Sequence, residues 1–333
     1  MSDCLDDIDS IDVNGYCVIY NGQSVHIPYT KKDNSEEHHQ GRSFHHGKFI
    51  QNLRKAAKNN SNVTCIEGTV KNLQIENDKV TGVILSNETR YSSYLTFVAD
   101  GCFSNLRKQS LYNPNTSRTC GYFVGLILHD CNLPLKYHGN VILGDEHSCI
   151  LLYQIGKHDT RILMDVRGKR PNMAGLNDHI TDFILPYLPA QVQPSLLQAL
   201  NDDEQRLRIM PNSYLRPLSE SNSKPGVVLI GDAHNQRHPL TGGGMTCALT
   251  DVNHLGNLLK NVDFSNDQQV QLALHNWTVK RRSTAGTINT LSMALYDLFS
   301  GDDPNLKVLK EGCFNYFKKG GDCIDGPVGL LSA

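Results

Sequence analysis

The stretch VVLIGDAHNQRHPLTGGGMTCALTD, residues 227–251, decides the fold. Four apolar residues lead into a glycine and Asp232, which predicts a buried strand that ends at a carboxylate. A polar segment and three glycines at 242–244 follow, and the pattern after them predicts a helix that begins near Met245. Ligands of doubly wound sheets bind beyond the carboxyl ends of the strands. Asp232 is therefore predicted to face a ligand.

The glycine turn and the helix after it indicate the chemistry of that ligand. Glycine lets the backbone approach a flat or anionic ligand closely, and a helix N-terminus offers free N–H groups and a positive dipole end. With one carboxylate, they suit a ligand that carries sugar-like hydroxyls in one place and negative charge in another. Reduced flavin fits that description. The glycines alone are more typical of a left-handed turn with a helix-capping aspartate, and that alternative stays open.

A second carboxylate has a similar setting in YLTFVADG, residues 94–101. Asp100 and Gly101 follow an apolar run, and Arg107 stands six residues further along. An Asp-Gly pair after a strand is most often a turn, so this motif is weak alone. Together with the Asp232 motif, it is stronger evidence for a ligand-binding site.

Short strands alternate with one helix in the first third of the chain. An Asn-Gly turn predicts a hairpin between YCVIY (16–20) and SVHIPY (24–29). Helical spacing of apolar residues predicts a helix over residues 47–58 with a basic outer face. The runs VTCIEGTV (63–70) and KVTGVIL (79–85) predict strands.

The rest of the chain divides into a β-rich region and a helical one. From Cys120 to about Tyr214, strand-like runs such as CILLYQIG and TRILMDVRG precede the helical DHITDFILPYL. From Val227 to Phe317 the sequence is mostly helical, with predicted helices over HLGNLLKNV (254–262), VQLALHNWTVKRR (270–282) and TLSMALYDLFS (290–300). This mixture predicts an α/β or α+β fold in which cofactor-binding and substrate-binding parts are interleaved along the chain.

The composition narrows the class of protein. The 333 residues are 39% hydrophobic and 20% charged, which is typical of a globular protein. A net charge of −2 argues against nucleic acid as the main partner. The first residues are acidic and lack the apolar segment of a signal peptide, and no apolar run reaches the ~18 residues that a membrane span needs. The sequence thus predicts a globular protein that faces the cytosol.

Five motifs together closely resemble the squalene monooxygenase (squalene epoxidase) family. In chain order they are GRSFHHGKFIQNLRKAA, VADGCFSNLRK, ILLYQIG, GDAHNQRHPLTGGGMT and GPVGLL. The resemblance runs from about Asn14 to Leu331, and RHPLTGGGMT is not a generic flavoprotein string. It implies an FAD-dependent enzyme of sterol biosynthesis.

The resemblance implies a mixed α/β (α+β) fold of the aromatic-hydroxylase type of flavin monooxygenase. It also divides the chain into four segments with separate roles. These are part of the FAD-binding domain (1–110), a β-rich substrate domain (111–225), the return segment of the FAD-binding domain (226–290), and a C-terminal helical, membrane-proximal segment (291–333).

Matching positions imply the roles of individual residues. Tyr16 and Tyr153 match tyrosines beside the epoxidation site and are the candidate catalytic residues. Eight positions match cofactor-binding residues: Arg54, Val70, Asp100, Gly101, Asp232, Gly243, Gly244 and Met245. Five match the apolar substrate pocket: Pro239, Leu240, Phe299, Phe314 and Phe317. The resemblance implies no metal.

The implied reaction is the epoxidation of squalene to 2,3-oxidosqualene with O2 and reduced FAD. The flavin carries the oxygen chemistry, while the protein supplies orientation and a dry site. A pocket of Phe and Leu side chains suits a hydrocarbon substrate. The implied partners are squalene, O2, an NADPH-dependent flavoprotein reductase and a membrane surface. The implied location is the cytosolic face of the endoplasmic reticulum membrane.

The sequence departs from the family in two ways. His234 and Gln236 stand where family members usually have an aromatic residue and a methionine, which makes this loop more polar. No GxGxxG motif, which would bind the ADP half of FAD, occurs in residues 1–333, and family members continue past GPVGLL into apolar helices. A fragment, an isoform or an incomplete gene model is therefore expected. Residues 1–333 alone are expected to bind FAD poorly and not to epoxidise squalene.

Three further features have plain structural interpretations. The paired histidines at 38–39 and 45–46 lack the usual ligand spacing for a metal, so His45 or His46 is expected to begin the 47–58 helix instead. The basic run at 280–282 is predicted to be a solvated helix face. Trp277 is predicted to lie in the core.

Two other functions stay open on the sequence alone. One is a related flavin hydroxylase that acts on another lipid or aromatic substrate, which a substrate assay would separate from the leading hypothesis. The other is a truncated, non-catalytic paralogue that acts as a binding or regulatory protein, which flavin content would separate from both enzymes.

Overall fold

The structure is a computed structural model that describes residues 2–145, 148–202, 204–217, 222–300 and 303–332. The chain forms two compact units, each assembled from segments that are far apart in the sequence. Unit 1 comprises Met1–Cys65, Cys120–Asn212 and Leu295–Ser332, and unit 2 comprises Ile66–Thr119 and Ser213–Ala294. The four predicted segments, with their assigned roles, stay a prediction.

The described residues contain fourteen strands: β1 (Ile11–Val13), β2 (Gly15–Tyr20), β3 (Gln23–Pro28), β4 (Gly41–Ser43), β5 (Val70–Glu76), β6 (Lys79–Leu85), β7 (Arg90–Ser92), β8 (Thr96–Val98), β9 (Arg118–His129), β10 (Gly139–Leu143), β11 (Ile150–Gln154), β12 (Asp159–Arg167), β13 (Arg208–Tyr214) and β14 (Val227–Leu229). They also contain seven α-helices: α1 (His46–Lys58), α2 (Leu176–Phe183), α3 (Gln193–Leu200), α4 (Gly244–Leu259), α5 (Asp267–Ser300), α6 (Pro304–Phe317) and α7 (Asp322–Ser332).

Unit 1 is organised around a seven-stranded sheet with the strand order β13-β9-β12-β11-β10-β2-β3. The predicted hairpin is confirmed, because β2 and β3 pair antiparallel with Tyr20 opposite Gln23. Asn21 and Gly22 form its turn with φ values of 48° and 75°. A two-residue turn with both φ values positive matches the right-handed twist of the flanking strands.

One face of this sheet is covered by α2 and α3. Alternate side chains of β9 and its neighbours, among them Leu128, Ile150 and Ile162, are fully buried. Ile180 of α2 and Leu196 of α3 pack in the same cluster. The period of two in the strands and of about 3.6 in the helices brings these apolar faces together.

Helix α1 belongs to unit 1 and begins where the sequence predicts. Its first residue is His46, and His45 occupies the N-cap position. Phe49 is buried in a small cluster with Cys4 and Ile8. The expectation that His45 or His46 begins this helix is therefore confirmed.

The centre of unit 2 is the short parallel pair of β14 and β8, with Leu229 opposite Val98. Val227 and Leu229 pack with Val98 and Leu73 on one side, whereas Val228 packs with residues of α4 and α5 on the other. A strand that is covered on both faces needs an uninterrupted apolar run. The sequence VVLI supplies it, and the predicted strand before Asp232 is confirmed.

The second sheet of unit 2 has the order β5-β6-β7. Strand β6 has the predicted bounds, but the predicted strand over 63–70 is wrong except for Val70, where β5 begins. Residues 63–69 lie on the surface without a partner strand, and Val63 and Ile66 are 43% and 53% exposed. Apolar β-branched residues favour a strand only where a neighbouring strand and a core receive them.

The helical region of unit 2 is simpler than the sequence suggests. The two predicted helices around Trp277 and after Thr290 form a single 34-residue helix, α5, whose last residues, 295–300, belong to unit 1. Trp277 of α5 lies in the core in one cluster with residues of β14 and α4, and its 5% exposure confirms its predicted place.

Candidate functional site

The two predicted carboxylates of unit 2 follow neighbouring parallel strands. Asp100 comes after β8 and Asp232 comes after β14, and the two strands pair in register. The Nε2 of Gln236 donates to the carbonyl oxygen of Cys102 at 2.8 Å, so the segments that follow the two strands lie against each other. The carboxyl ends of parallel strands meet at one edge of a sheet, and this edge is where α/β folds bind ligands.

Asp232 lies in a 3-10 turn, Gly231–Ala233, directly after β14. Its side chain accepts no hydrogen bond from any residue that the structure describes. Asp232 is exposed to solvent, yet partial desolvation raises the pKa of its carboxyl group, against the opposing effect of the Arg237 charge. An exposed carboxylate without a protein partner suits donors brought by a ligand, such as the hydroxyls of a ribityl chain.

The glycine turn has the geometry of a close approach. Gly242 has a φ of 66°, and a side chain on Gly243 would lie 2.5 Å from Cγ2 of Ile288 in α5. Helix α4 begins at Gly244, close to the predicted Met245, and no side chain caps its N-terminus. The first N–H groups of α4 are thus available to an anionic or carbonyl edge of a ligand. Together with Asp232, these residues fit the ribityl and pyrimidine parts of a flavin.

Met245, Pro239 and Leu240 surround this turn. Met245 is 38% exposed on the first turn of α4. Pro239 and Leu240 lie in a 3-10 turn, Pro239–Thr241, immediately before the glycines. Val70 is the first residue of β5 and is half-buried. Their predicted contacts with cofactor and substrate stay a prediction.

Asp100 and Gly101 form a turn, as the plainer interpretation of the Asp-Gly pair expects. The Asp100 carboxylate accepts from the backbone N–H groups of Asn105 at 3.0 Å and Leu106 at 3.5 Å. Gly101 has a φ of 81° with open space beside it, so only a residue without a side chain adopts this conformation at no cost. The predicted cofactor role of the pair stays a prediction.

Gln236 and His234, the two residues that depart from the family pattern, are both buried. Gln236 accepts from Oγ of Ser117 at 2.7 Å, and its backbone pairs with Leu215. The His234 ring lies 5.6 Å from that of Trp277. Burial, followed by the charges of three arginines, lowers the pKa of His234 to about 3, so this histidine is neutral.

Sequence reasoning missed a polar network in the same unit. Arg237, Asn235 and Asn289 are buried and hydrogen-bonded to one another. The signal for it was the polar run NQRH, which stands between a buried strand and a helix. A run of this kind is ordinary in a loop, so the sequence alone did not set it apart.

The predicted solvated face at 280–282 is wrong for its central residue. Arg281 is 6% exposed and donates to both oxygens of Asp251 in α4, at 3.0 Å each. Its guanidinium also lies 5.3 Å from the ring centre of Trp277. The helix turns Arg281 inward, where a bidentate carboxylate satisfies the charge. Lys280 and Arg282 remain exposed.

Unit 1 holds the candidate catalytic tyrosines. Tyr16 on β2 packs edge-on against Tyr29, with ring centres 5.7 Å apart, and burial raises the pKa of its hydroxyl group. Tyr153 on β11 stands opposite Arg161 on β12, and burial raises its pKa too. Arg54 is exposed on α1. The Tyr16 hydroxyl interacts with the side chain of Tyr29, and the Tyr153 hydroxyl with that of Arg161, while the catalytic role of both tyrosines stays a prediction.

The predicted pocket phenylalanines of unit 1 differ in exposure. Phe314 is 4% exposed and packs edge-on against Tyr20, with ring centres 5.6 Å apart. Phe317, on the same helix, is half-buried beside Tyr316. Phe299 is half-buried near the end of α5. Their assignment to a substrate pocket stays a prediction.

Comparison with protein families identifies the chain. The family model described as squalene epoxidase matches residues 92–333. The chain belongs to the squalene epoxidase family. A second model, described as glucose inhibited division protein A, matches residues 28–118. The squalene epoxidase match includes both the Asp100 and the Asp232 segments.

Curated members of the squalene epoxidase family align with nearly the whole chain. The chain is 42% identical to squalene epoxidase erg1 of Aspergillus fumigatus over 99% of its own length and 70% of that protein. It is 40% identical to squalene monooxygenase of Rattus norvegicus over 100% of its own length. The chain spans 58% of the length of the rat protein.

A solved structure supports the fold. Klebsiella pneumoniae HpxO, complexed with FAD and uric acid, superposes with a TM-score of 0.74 over 99% of this chain and 83% of that protein, at 16% identity. The predicted fold class, the aromatic-hydroxylase type of flavin monooxygenase, is confirmed, and the solved relative holds the predicted cofactor, FAD. In the described part of the chain, no helix is both long enough and apolar enough to span a bilayer.

Proposed function

We propose that the whole protein is a squalene monooxygenase, which epoxidises squalene to 2,3-oxidosqualene with O2 and reduced FAD. Membership of the squalene epoxidase family supports this reaction. We further propose that an NADPH-dependent flavoprotein reductase supplies the electrons. The location that we propose is the cytosolic face of the endoplasmic reticulum membrane, where a hydrocarbon substrate is available.

When bound, reduced FAD supplies the activation of O2, and the protein supplies binding, orientation and a dry site. In unit 2, Asp232 would accept hydrogen bonds from the ribityl hydroxyls of FAD, and the first N–H groups of α4 would be available to its electron-rich pyrimidine edge. The absence of a side chain on Gly243 permits the close packing of the turn against Ile288. The half-buried Phe299 and Phe317 of unit 1 offer apolar surface, which suits a hydrocarbon.

The observation that carries the proposal is the Asp232 carboxylate. It directly follows a buried parallel strand, it is exposed and has no hydrogen-bond partner among the described residues, and an uncapped helix N-terminus follows it, so it is available to donors that a ligand brings. The flavin's hydroxyls are such donors. A plain helix-capping aspartate, the alternative from the sequence, would accept from a backbone N–H of α4, and Asp232 does not.

The test is the affinity of the protein for FAD. Asp232→Ala removes the acceptor and leaves the ligand's hydroxyls unpaired, which costs about 1–3 kcal/mol of binding free energy. Flavin fluorescence titration is expected to show a matching loss of affinity, with thermal unfolding unchanged. Asp263→Ala is the matched control, because that carboxylate is exposed in the same unit, accepts from the backbone N–H of Ser265 in its own turn, and matches none of the predicted cofactor-binding positions. Equal FAD affinity of the wild type and Asp232→Ala would sink the proposal.

A further inference from the structure

Arg237 is a buried cation whose hydrogen-bond partners, in the part of the chain that the structure describes, are neutral groups. It is 8% exposed. Its Nε donates to Oδ1 of Asn289 at 2.9 Å, its Nη2 donates to Oδ1 of Asn235 at 2.7 Å, and its Nη1 donates to the carbonyl oxygen of Gly244 at 3.4 Å. Among the residues that the structure describes, no carboxylate lies within 4.0 Å of it. The positive charge of Arg237 therefore lacks a direct counter-ion among the described residues.

Two other buried arginines make the same region more positive. The charges of Arg107, Arg237 and Arg281 all act on His234. Arg281 is neutralised by Asp251, whereas Arg107 bonds to the neutral side chain of Asn115. Asp232 is the other carboxylate that acts on Arg237, from a distance. Within the described part of the chain, the guanidinium groups of Arg107 and Arg237 thus lack an ion pair.

The place of Arg237 makes its charge unfavourable unless an anion lies nearby. Its Nη1 contacts Gly244, the first residue of α4, where the helix dipole is positive. Burying a charge without a counter-ion costs free energy, and a second positive charge at the same helix end adds to that cost. A bound anion in front of α4 would relieve both.

The neutral partners alone could be explained by a structural role. Asn235 and Asn289 bond to each other at 2.9 Å, and Asn235 donates to the carbonyl oxygen of Leu215 at 2.7 Å. Such a network holds the loop before the glycine turn in place. A neutral side chain with two donors would serve that purpose without the cost of burying a charge. The charge itself therefore needs a separate reason.

We propose that Arg237 is a positioning residue whose positive charge, acting through the first turn of α4, makes the site bind reduced, anionic flavin more tightly than oxidised, neutral flavin. The inference rests on the proposed function and deepens it. Oxidised flavin takes up two electrons and one proton to form this anion. The electrons come from the NADPH-dependent reductase of the proposal, and the proton comes from solvent.

The experiment compares flavin affinity in the two redox states. The whole protein is titrated with oxidised FAD, and then anaerobically with FAD reduced by dithionite. Arg237→Gln keeps hydrogen-bonding capacity but removes the charge, and is expected to lower the preference for the reduced form roughly tenfold or more, as a unit charge at an effective dielectric constant of about 20 would. Arg237→Lys keeps the charge and is expected to retain most of the preference. The flavin midpoint potential falls in Arg237→Gln accordingly.

Asn289→Ala is the control, because it removes one neutral partner of Arg237 but leaves the charge. It is expected to leave the ratio of the two affinities unchanged. If Arg237→Gln weakens the binding of both redox forms of FAD equally, or abolishes the binding of both, Arg237 has a purely structural role and the inference is overturned. A shift of the ratio in Asn289→Ala as large as in Arg237→Gln would overturn it too. Failure of the wild type to bind either form would instead overturn the proposed function.

Discussion

His234 is a histidine that the protein keeps neutral by burial. It is 8% exposed, it packs against Trp277, and desolvation is the largest cause that lowers its pKa to about 3. The charges of Arg281, Arg107 and Arg237 act in the same direction. A protonated imidazole would add a fourth cation beside these three guanidinium groups. The residue is therefore a neutral packing partner, which is the role that an aromatic ring would have at this position.

This burial predicts acid sensitivity. In the unfolded chain His234 takes up a proton below about pH 6.5, whereas in the folded protein it stays neutral down to about pH 3. The unfolded state then binds more protons, so the free energy of unfolding falls as the pH falls through this window. From about pH 7 to about pH 5 the contribution of His234 is a loss of ~2 kcal/mol.

Urea unfolding of the wild type and of His234→Phe across this pH range checks the prediction. The phenylalanine variant is expected to lose less stability on acidification by that amount, because every other titrating group is common to both proteins. Parallel curves for the two proteins would mean that His234 is protonated in the folded state.

At single positions, the sequence predicted what depends on local order and missed what depends on packing. Asp232 follows from the apolar run before it, because a buried strand must end where a charge appears. Arg281 did not follow from KRR, since the inward turn of that residue depends on Asp251, thirty residues earlier on another helix. The role of Arg237 likewise depends on Asn289.

Helices α4 and α5 are joined by the pair of Asp251 and Arg281. Both side chains are buried, with 3% and 6% exposure, and both oxygens of the carboxylate accept from the guanidinium at 3.0 Å. Loss of one partner leaves an uncompensated buried charge, which is far more costly than loss of both. The pair therefore fixes how the two helices pack behind β14.

Arg281→Met is expected to reduce the free energy of unfolding by about 3–5 kcal/mol. The double variant Arg281→Met with Asp251→Leu is expected to be more stable than Arg281→Met alone, because it leaves no buried charge unpaired. Denaturant unfolding of the three proteins measures this. An additive double variant would show that the two side chains do not interact, and Lys280→Met, on the exposed neighbour, is the matched control with little expected effect.

The helices and strands that the sequence predicted correctly are those whose pattern depends on neighbouring residues in the chain. The β2–β3 hairpin follows from Asn21-Gly22, and the start of α4 follows from the glycines before it. The expected strand at 63–69 failed because strand propensity cannot show whether a partner strand exists. The unity of α5 was missed because two apolar stripes suggested two helices, whereas Gly286 between them lies inside the helix and does not end it.

The whole molecule combines two units whose segments alternate along the chain, in the fold of flavin monooxygenases. The order of motifs made the family predictable, since GDAHNQRHPLTGGGMT follows a strand and includes a glycine turn and the start of a helix. The roles of individual site residues remain predictions, because no ligand contact follows from position alone.

The proposed function of the whole protein is the transfer of one oxygen atom of O2 to squalene by means of a flavin bound at Asp232. It is tested on the protein that contains every residue its gene encodes. FAD in excess, NADPH, a flavoprotein reductase and squalene are added to this protein under oxygen-18-labelled O2. Mass spectrometry is expected to find 2,3-oxidosqualene with one labelled oxygen from the wild type, and far less from Asp232→Ala. A wild-type protein that is loaded with flavin and reduced by the reductase, yet forms no labelled epoxide, would contradict the account.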